Sequence, residues 1–464
     1  MAGGRDRGAV PVKGRLGRTA TMAGLGVRSG GRWTMSRAKR VFAGAGRVEA
    51  LDAERELRIA ADVVEVLGNM KGALMKLGQM ASYLDVGLPE ATRTSLAQLR
   101  TNAPPMSAAL AASVVTEELG AAPDELFERW DPSPIAAASI GQVHRAITTD
   151  GRACAVKVQY PGVAEAIAAD LGSARVVFRA LSVLFPGLDP VPVVEELRER
   201  LTEELDYGHE AANQHLFADH YRNHPYISVP EVYDDLCSPR VLTTELVTGS
   251  VFEEVLNWPR RQRNRVAETI YRFSFGSIYR LGAFNGDPHP GNYLFHPDGR
   301  VTFLDFGLVK RFTPAETAQF ERMLTAMVID RDIARFRAEV VAAGLLPAEA
   351  PFDNAAVESY FTHFYEFVLE DEPRTFTPEY AAAGVRAIFE ASGVHGELKK
   401  VLNVPPSLVI LQRINLGLIS LFAQLGATAN WRGIAEELWP FVDGPPSTPM
   451  GRDARAWRES LSPP

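Results

Sequence analysis

The sequence has little cysteine and no long apolar run. Its 464 residues contain two cysteines, Cys154 and Cys237, which cannot form a disulfide framework, so we expect a reducing compartment. No segment approaches the roughly 18 uncharged apolar residues that a membrane-spanning helix needs. The best candidate, 401–412, is short and contains two prolines. Because the first residues also lack the apolar core of a signal peptide, we expect a cytoplasmic protein.

Basic residues are outnumbered overall, but they are concentrated at the start of the chain. The 49 basic and 57 acidic residues give a net charge of −8, which argues against a nucleic-acid-binding protein of the simple basic kind. Residues 1–47 hold eleven basic side chains and one acidic one. We predict that these residues form a disordered tail. The tail either associates peripherally with an anionic membrane surface through its positive charge or only improves solubility.

Lysine is scarce, since 8 lysines stand against 41 arginines. A compact ammonium and a planar guanidinium fork are chemically different. A lysine in such an arginine-rich chain therefore indicates a position that requires an ammonium group. Lys76 and Lys157 are the two lysines that fall within recognisable motifs.

The periodicity of apolar residues predicts an α+β protein. A long helical pattern runs from 49 to 84, a second helix is expected over 107–119 with Ser107 as its N-cap, and another over 193–220. The predicted strands are 140–147, 153–159, 229–232, 241–246, 293–296 and 301–304. The chain after Gly249 is otherwise mostly helical. Strands followed by helices are typical of a two-lobed enzyme.

The strongest motif pairs an Asp–Asn loop with Asp-Phe-Gly. Asp287 and Asn292 are five positions apart, and Asp305-Phe306-Gly307 follows after a predicted hairpin. This order is typical of the metal and phosphate side of a kinase-type site. Mg²⁺ prefers oxygen ligands, which Asn292 and Asp305 can supply, while Asp287 can accept a proton or orient a nucleophile.

Four weaker motifs accompany it. Lys157 interrupts an apolar strand, where burial is costly unless the ammonium meets anions. An alanine-rich turn at 136–139 stands where a kinase has its glycine-rich phosphate loop, and alanine makes such a loop stiffer. Asp206, Glu210 and Asn213 share a helical stripe, with Glu204 on another face. Lys76 and Gln79 share a face of the first long helix.

Together these motifs resemble the UbiB family of atypical kinases, also called AarF-domain proteins, over residues 59–431. The matching segments are Lys76–Gln79 (KxGQ), Ala136–Ser139 (alanine-rich loop), Lys157 (strand lysine), Glu204–Asp206 (ExD), Asn285–Asn292 (catalytic loop) and Asp305–Gly307 (metal motif). One departure is Asn285, because the family usually has a histidine there that supports the catalytic loop through hydrogen bonds.

The resemblance implies a two-lobed protein-kinase-like fold with an N-terminal helical extension packed over the active site. It implies catalytic roles for Asp287, Lys157 and Glu204, and Mg²⁺ binding by Asn292 and Asp305. It implies that Lys76, Gln79 and Asp206 are regulatory. The residues implied to bind ATP or ADP are Ala136, Ala137, Ala138, Ser139, Lys157, Glu245 and Val247. The expected organisation is a basic tail (1–47), the extension (48–125), an N-lobe (126–248), a C-lobe (249–445) and a polar C-terminal tail (446–464).

The function that follows is a Mg-ATP-dependent ATPase or phosphotransferase that supports isoprenoid quinone or related lipid metabolism at a membrane surface. Its expected partners are a lipid-like or phenolic small molecule such as a quinone precursor, an anionic membrane and quinone-biosynthesis enzymes, with no nucleic acid. Two alternatives stay open: a protein kinase with a mobile inhibitory helix, and a nucleotide-binding scaffold with little turnover. A zinc enzyme using His220 and His224, which have i, i+4 spacing, is the weakest reading.

Overall fold

The computed structural model describes residues 106–138, 140–164, 205–389, 397–398, 401–403 and 406–461. The predictions for the basic tail, for the helix of Lys76 and Gln79, and for Ser139 and Glu204 lie outside these residues. The described chain divides into two compact units. The first contains residues up to His209 together with Tyr233–Glu245, and the second contains Glu210–Val232 and the residues from Leu246 onward.

The first unit is built around a four-stranded antiparallel sheet with the order β1-β2-β3-β5. Its elements are α1 (Ala108–Leu119), α2 (Pro123–Leu126), β1 (Phe127–Ala137), β2 (Gly141–Thr148), β3 (Ala153–Gln159) and β5 (Val241–Glu245). The helix α1 begins where the Ser107 side chain accepts a hydrogen bond from the Leu110 N–H, as the sequence predicted. It ends at Gly120, which adopts a φ of +80°.

Alternation along β3 separates the core of the first unit from its opposite face. Cys154, Val156 and Val158 are completely buried and cluster with residues of α1, including Val114 and Val115. Because successive side chains of a strand point to opposite faces, Lys157 lies on the face away from this cluster.

The second unit combines many helices with short strands. Its elements are β4 (Ile227–Ser228), α4 (Phe252–Val255), α5 (Arg260–Leu281), β6 (Ala283–Asn285), β7 (Tyr293–Phe295), β8 (Val301–Phe303), β9 (Val309–Arg311), α6 (Pro314–Leu324), α7 (Ile333–Ala342), α8 (Asn354–Leu369), β10 (Arg374–Thr375), α9 (Pro378–Phe389), α10 (Pro406–Leu425), β11 (Thr428–Ala429), α11 (Trp431–Leu438) and α12 (Pro449–Leu461). Within the described residues, no helix combines the length and the apolar character that crossing a membrane requires.

The buried middle of α5 organises the core of the second unit. Phe273, on α5, stacks on Phe303 of β8 with ring centroids 3.6 Å apart. The helix ends at Gly282, whose φ of +57° reverses the chain directly into β6. The hairpin β7–β8 is antiparallel and pairs Tyr293 with Phe303, so the predicted hairpin is confirmed. This packing fixes the strands that carry the loop at 286–292 and the motif at 305–307.

The structure corrects three details of the predicted elements. The strand predicted at 229–232 lies earlier, at Ile227–Ser228. The helix α3 (Tyr207–His220) begins after Asp206, so Asp206 does not share a helical stripe with Glu210. The strand β1 was missed because its sequence contains two prolines and several charges. Such a strand is tolerated at a sheet edge, and β1 is an edge strand with register shifts.

Candidate functional site

The strand lysine lies over an aromatic ring of the first unit. Lys157 pairs with Val143 of β2 and Leu242 of β5, so its backbone is held in the centre of the sheet. Its Nζ lies 4.9 Å from the centroid of the Tyr207 ring. An ammonium over a ring face is stabilised by the quadrupole of the ring. Tyr207, which is only 2% exposed, therefore helps to orient the lysine head group.

The alanine-rich segment forms the end of a hairpin. Ala136 pairs with Val143 and Ala137 with Gln142 in the β1–β2 ladder. The Ala138 N–H donates to the Gly141 carbonyl at 2.9 Å, which closes a tight turn. Any contact between Ala138 and a phosphate would have to use another atom while this hydrogen bond is intact. Ser139 lies outside the described residues.

Asp206 stabilises the start of α3. Its Oδ1 accepts from the Gly208 N–H at 2.8 Å, and its carbonyl accepts from the His209 N–H. These contacts are those of a residue that caps a helix, and a carboxylate there also complements the helix dipole. The regulatory role predicted for Asp206 stays a prediction, because Lys76 lies outside the described residues.

Glu210 is a site residue whose importance the sequence analysis did not recognise. It lies on α3 and is only 4% exposed. A Cβ atom added to Gly307 would lie 3.4 Å from Asp305 Oδ1 and 3.6 Å from Glu210 Oε2. The two carboxylates therefore flank the same glycine of the metal motif. The sequence signal was its i, i+3 spacing to Asn213, but nothing local indicated burial.

The loop that carries Asp287 is tied to the metal motif through one side chain. The Asn285 Nδ2 donates to the Asp305 carbonyl at 2.8 Å, and the Asn285 Oδ1 accepts from the Asp287 N–H at 3.2 Å. The strand β6 of Asn285 pairs with β9, and the Gly286 N–H donates to the Leu308 carbonyl. The asparagine that replaces the usual histidine therefore makes hydrogen bonds on both sides.

Asn292 is held by its backbone and by its amide nitrogen. Its N–H donates to the His289 carbonyl, and its own carbonyl accepts from the Leu304 N–H at 2.9 Å. The Asn292 Nδ2 donates to the Asp287 carbonyl at 3.3 Å. With its nitrogen committed to the loop, the oxygen of the amide is the atom suited to a metal.

The metal motif is anchored by its phenylalanine. Phe306 is completely buried, and its ring centroid lies 5.1 Å from that of Phe217 on α3. The Asp305 Oδ1 accepts from the Gly307 N–H at 3.0 Å, which curls the chain around the carboxylate. A Cβ atom at position 307 would meet the carboxylates of Asp305 and Glu210 only at ordinary van der Waals distances, so the glycine marks their proximity and is not a steric requirement.

The donor set of the second unit fits Mg²⁺. Asp287, Asn292 and Asp305 are brought together by the hydrogen bonds above, and all three offer oxygen atoms, which a hard cation prefers. Burial raises the pKa of Tyr293 well above its ordinary value, and the negative charges of Asp287 and Asp305 raise it further. A buried hydroxyl thus senses a local negative potential, which a divalent cation would neutralise.

The predicted adenine segment follows the last strand of the first sheet. Glu245 ends β5, where it pairs with Cys154, and Val247 lies in the stretch without regular secondary structure that follows. The chain passes from the first unit to the second between Glu245 and Leu246.

His220 and His224, which the sequence analysis considered as zinc ligands, belong to an aromatic cluster. The His224 ring lies edge-on to Trp457 of α12, with centroids 4.6 Å apart, and His220 contacts Tyr221 in the same way. The His224 Nδ1 accepts from the N–H groups of Tyr226 and Ile227. Over the stretches that the structure describes, no group of three or more His, Cys, Asp or Glu side chains is arranged to hold a metal ion.

Comparisons with known proteins agree with a kinase-like fold of mixed helices and strands. The family model for the ABC1 atypical kinase-like domain matches residues 98–339, more than half of the chain. The chain therefore belongs to the ABC1 atypical kinase-like family, and the resemblance to UbiB and AarF-domain proteins is confirmed. A solved structure titled as the Rv3197–erythromycin complex from Mycobacterium tuberculosis is 30% identical with a TM-score of 0.63, and the match covers 86% of this chain and 100% of that one.

Curated relatives are similar over much of the chain. An aarF domain-containing protein kinase of Arabidopsis thaliana, named as chloroplastic, is 30% identical over 80% of this chain and 53% of its own length. A probable protein kinase UbiB of Pseudomonas fluorescens is 29% identical over 84% of this chain and 70% of its own length. The chain spans only 33% of the Arabidopsis protein named activity of BC1 complex kinase 8, at 36% identity.

Proposed function

We propose that the chain is a Mg-ATP-dependent ATPase or phosphotransferase that supports isoprenoid quinone or related lipid metabolism at a membrane surface. The observation that carries the proposal is the hydrogen-bonded arrangement of Asp287, Asn292 and Asp305 through Asn285. Asn292 and Asp305 would hold Mg²⁺, which neutralises phosphate charge when bound. Asp287 would orient or deprotonate the group that attacks phosphorus.

The other roles are carried over from the family motifs. Lys157 would pair with Glu204 and bind the phosphates, which the loop at 136–139 would cover, and the backbone near Glu245 and Val247 would hold the adenine. The KxGQ helix with Lys76 and Gln79 would restrict access of protein substrates, in part through Asp206. The substrate is proposed to be a lipid-like or phenolic molecule such as a quinone precursor, met at an anionic membrane that the 1–47 tail attracts. Enzymes of quinone biosynthesis are the proposed protein partners.

The first prediction is that Asp305→Asn abolishes Mg-dependent ATP binding while the protein stays folded. An amide oxygen can still accept from the Gly307 N–H, so the turn persists, but the only anionic ligand of the Asn292–Asp305 pair is lost. Calorimetry with ATP, with and without Mg²⁺, measures the effect. The matched control is Asp298→Asn in the β7–β8 turn, where the carboxylate pairs with exposed Arg300. Unchanged Mg-dependent affinity in Asp305→Asn would contradict the metal site.

Turnover separates the candidate activities. Phosphate release by the purified chain, stimulated by phenolic compounds or anionic vesicles, supports the ATPase. Transfer of label from ATP to added protein would support a protein kinase, and binding without either would support a scaffold. Quinone profiling of a deletion strain complemented with the wild type or with Asp305→Asn tests the pathway. If the wild type and Asp305→Asn restore quinone levels equally, quinone supply does not depend on the nucleotide chemistry of this site.

A further inference from the structure

Two consecutive carbonyl groups of the metal motif are held by asparagine amides from two different elements. The Asp305 carbonyl accepts from Asn285 Nδ2 of β6 at 2.8 Å. The Phe306 carbonyl accepts from Asn213 Nδ2 of α3 at 3.1 Å. The two consecutive peptide groups that follow Asp305 and Phe306 are therefore each held at their carbonyl oxygens, and the first of them adjoins the Cα atom that carries the Asp305 side chain.

The orientation of each amide follows from its partners. The Asn285 Oδ1 accepts from the Asp287 N–H, which can only donate, so the nitrogen must face the Asp305 carbonyl. The Asn213 Oδ1 accepts at 3.0 Å from Arg311 Nη2, which also can only donate. Each side chain thus uses a donor and an acceptor at once. Neither leucine nor a carboxylate can do this.

The two asparagines connect the metal motif to different parts of the second unit. Asn285 is 7% exposed and links the motif to the loop of Asp287. Asn213 links the motif to α3, where Glu210 flanks Gly307, and through Arg311 to β9. The ring contact of Phe217 with Phe306 adds an apolar link between α3 and the motif.

We propose that Asn213 and Asn285 are positioning residues that hold the Asp305 carboxylate in its metal-binding direction, with Arg311 fixing the amide of Asn213. The proposal rests on the proposed function of Asp305 as a Mg²⁺ ligand. Groups that orient a metal ligand without touching the metal typically change metal affinity by about 10- to 100-fold when they are removed.

The decisive variants are Asn213→Asp and Asn285→Asp, which keep the shape of the side chain and remove its donor. We expect the Mg²⁺ concentration for half-maximal ATP binding to rise at least about tenfold in each. At saturating Mg²⁺, the affinity for ATP should return close to the wild-type value. The matched control is Asn257→Asp, which also removes a donor to a backbone carbonyl, that of Glu253, but at an exposed position just after α4.

A second experiment uses pH to separate positioning from simple structural support. A neutral imidazole also has one donor and one acceptor, so Asn285→His should keep a near-normal Mg²⁺ requirement at pH 8. Once protonated, the imidazolium cannot accept from the Asp287 N–H, and the requirement should then rise relative to the wild type at the same pH. If Asn285→His does not fold, Asn213→Asp on the half-buried face of α3 still tests the proposal.

The outcomes distinguish this inference from the proposed function. Wild-type Mg²⁺ requirements in Asn213→Asp and Asn285→Asp, together with lost binding in Asp305→Asn, would overturn the positioning roles and leave the metal site standing. Normal Mg²⁺ dependence in Asp305→Asn itself would overturn both. A raised Mg²⁺ requirement in the two Asp variants, with Asn257→Asp unchanged, supports the positioning roles.

Discussion

Single residues decide how closely the elements of the first unit approach one another. A Cβ atom on Gly141 would lie 2.3 Å from the Val158 carbonyl oxygen and 2.9 Å from the Tyr207 hydroxyl. Neither neighbour can withdraw easily, because Val158 is paired within the sheet and Tyr207 is buried. Glycine at 141 is therefore a steric requirement that also brings Tyr207 close to the strands that flank Lys157.

We predict that Gly141→Ala destabilises the protein by about 1–3 kcal/mol, the usual cost of overpacking a tight site. Urea unfolding measures the free energy. The control is Gly276→Ala in α5, where the nearest atom would be 3.5 Å away, an ordinary contact. That change should be neutral or stabilise by up to about 1 kcal/mol, since alanine favours a helix. Equal effects of the two substitutions would refute the steric argument.

Residue chemistry made part of the site predictable. Asp287, Asn292 and Asp305 were recognisable because oxygen ligands for Mg²⁺ occur at short, fixed spacings around a hairpin. The contact of Asn213 with Phe306 was not predictable, because the two residues are 93 positions apart. The roles of Lys157, Glu245 and Val247 stay predictions, since they concern a nucleotide.

At the scale of elements, the sequence predicted the helices and hairpins whose ends are set by capping and turn residues. Helix α1 has its serine cap and glycine stop, and the hairpin β7–β8 has its Pro-Asp-Gly turn. Strand β1 escaped notice because pairing with β2, and not its own propensity, makes it a strand. The helix predicted over 193–220 is interrupted at Leu205 and Asp206, where the Asp206 carboxylate caps the start of α3, and its part before residue 205 lies outside the described residues.

A buried ionic network joins three elements of the second unit. Arg272 of α5 donates to both carboxylate oxygens of Glu437 on α11, at 2.9 and 3.1 Å. It also pairs with Glu268 one turn earlier and donates to Thr448 before α12. The side chain of Arg272 is only 3% exposed. No sequence pattern indicates this network, because Arg272 and Glu437 are 165 residues apart.

We predict that Arg272→Met destabilises the protein by about 3–5 kcal/mol, because it leaves two buried carboxylates without their cation. Denaturant unfolding monitored by tryptophan fluorescence suits the measurement, since Trp431 and Trp439 lie on or next to α11. The control is Arg300→Met, which breaks an exposed pair with Asp298 and should cost at most about 1 kcal/mol. Similar losses in both variants would mean that the network contributes no more than a surface pair.

At the scale of the whole molecule, the sequence indicated a kinase-like protein. It did not indicate which residues belong to each of the two compact units. The chain passes between the two compact units three times among the described residues, after His209, Val232 and Glu245. The lobe boundary predicted at 248 stays a prediction, whereas the two units follow from the contacts that the described chain makes with itself. Only tertiary contacts assign the greater part of α3 to the second unit.

One buried histidine and two half-buried ones make the stability of the molecule depend on pH. Burial lowers the pKa of His224 to about 3, and the positive charges of Arg272, Arg458 and His220 lower it further. Burial also lowers the pKa of His144 and of His220. Because the unfolded chain binds protons to these histidines below about pH 6.5, folding stability is full above that pH and falls as the solution is acidified.

We predict that His224 accounts for about 2 kcal/mol of stability lost between pH 7 and pH 5, at about 1.4 kcal/mol for each pH unit below 6.5. The imidazolium would lose the acceptor that Nδ1 presents to the Tyr226 and Ile227 N–H groups. In His224→Asn the amide oxygen can accept instead and does not titrate, so the variant should be less stable at pH 7 but lose less on acidification. Urea unfolding at both pH values gives this difference, with His209→Asn as a control at an exposed histidine. A pH dependence in His224→Asn as steep as that of the wild type would show that other groups govern the acid response.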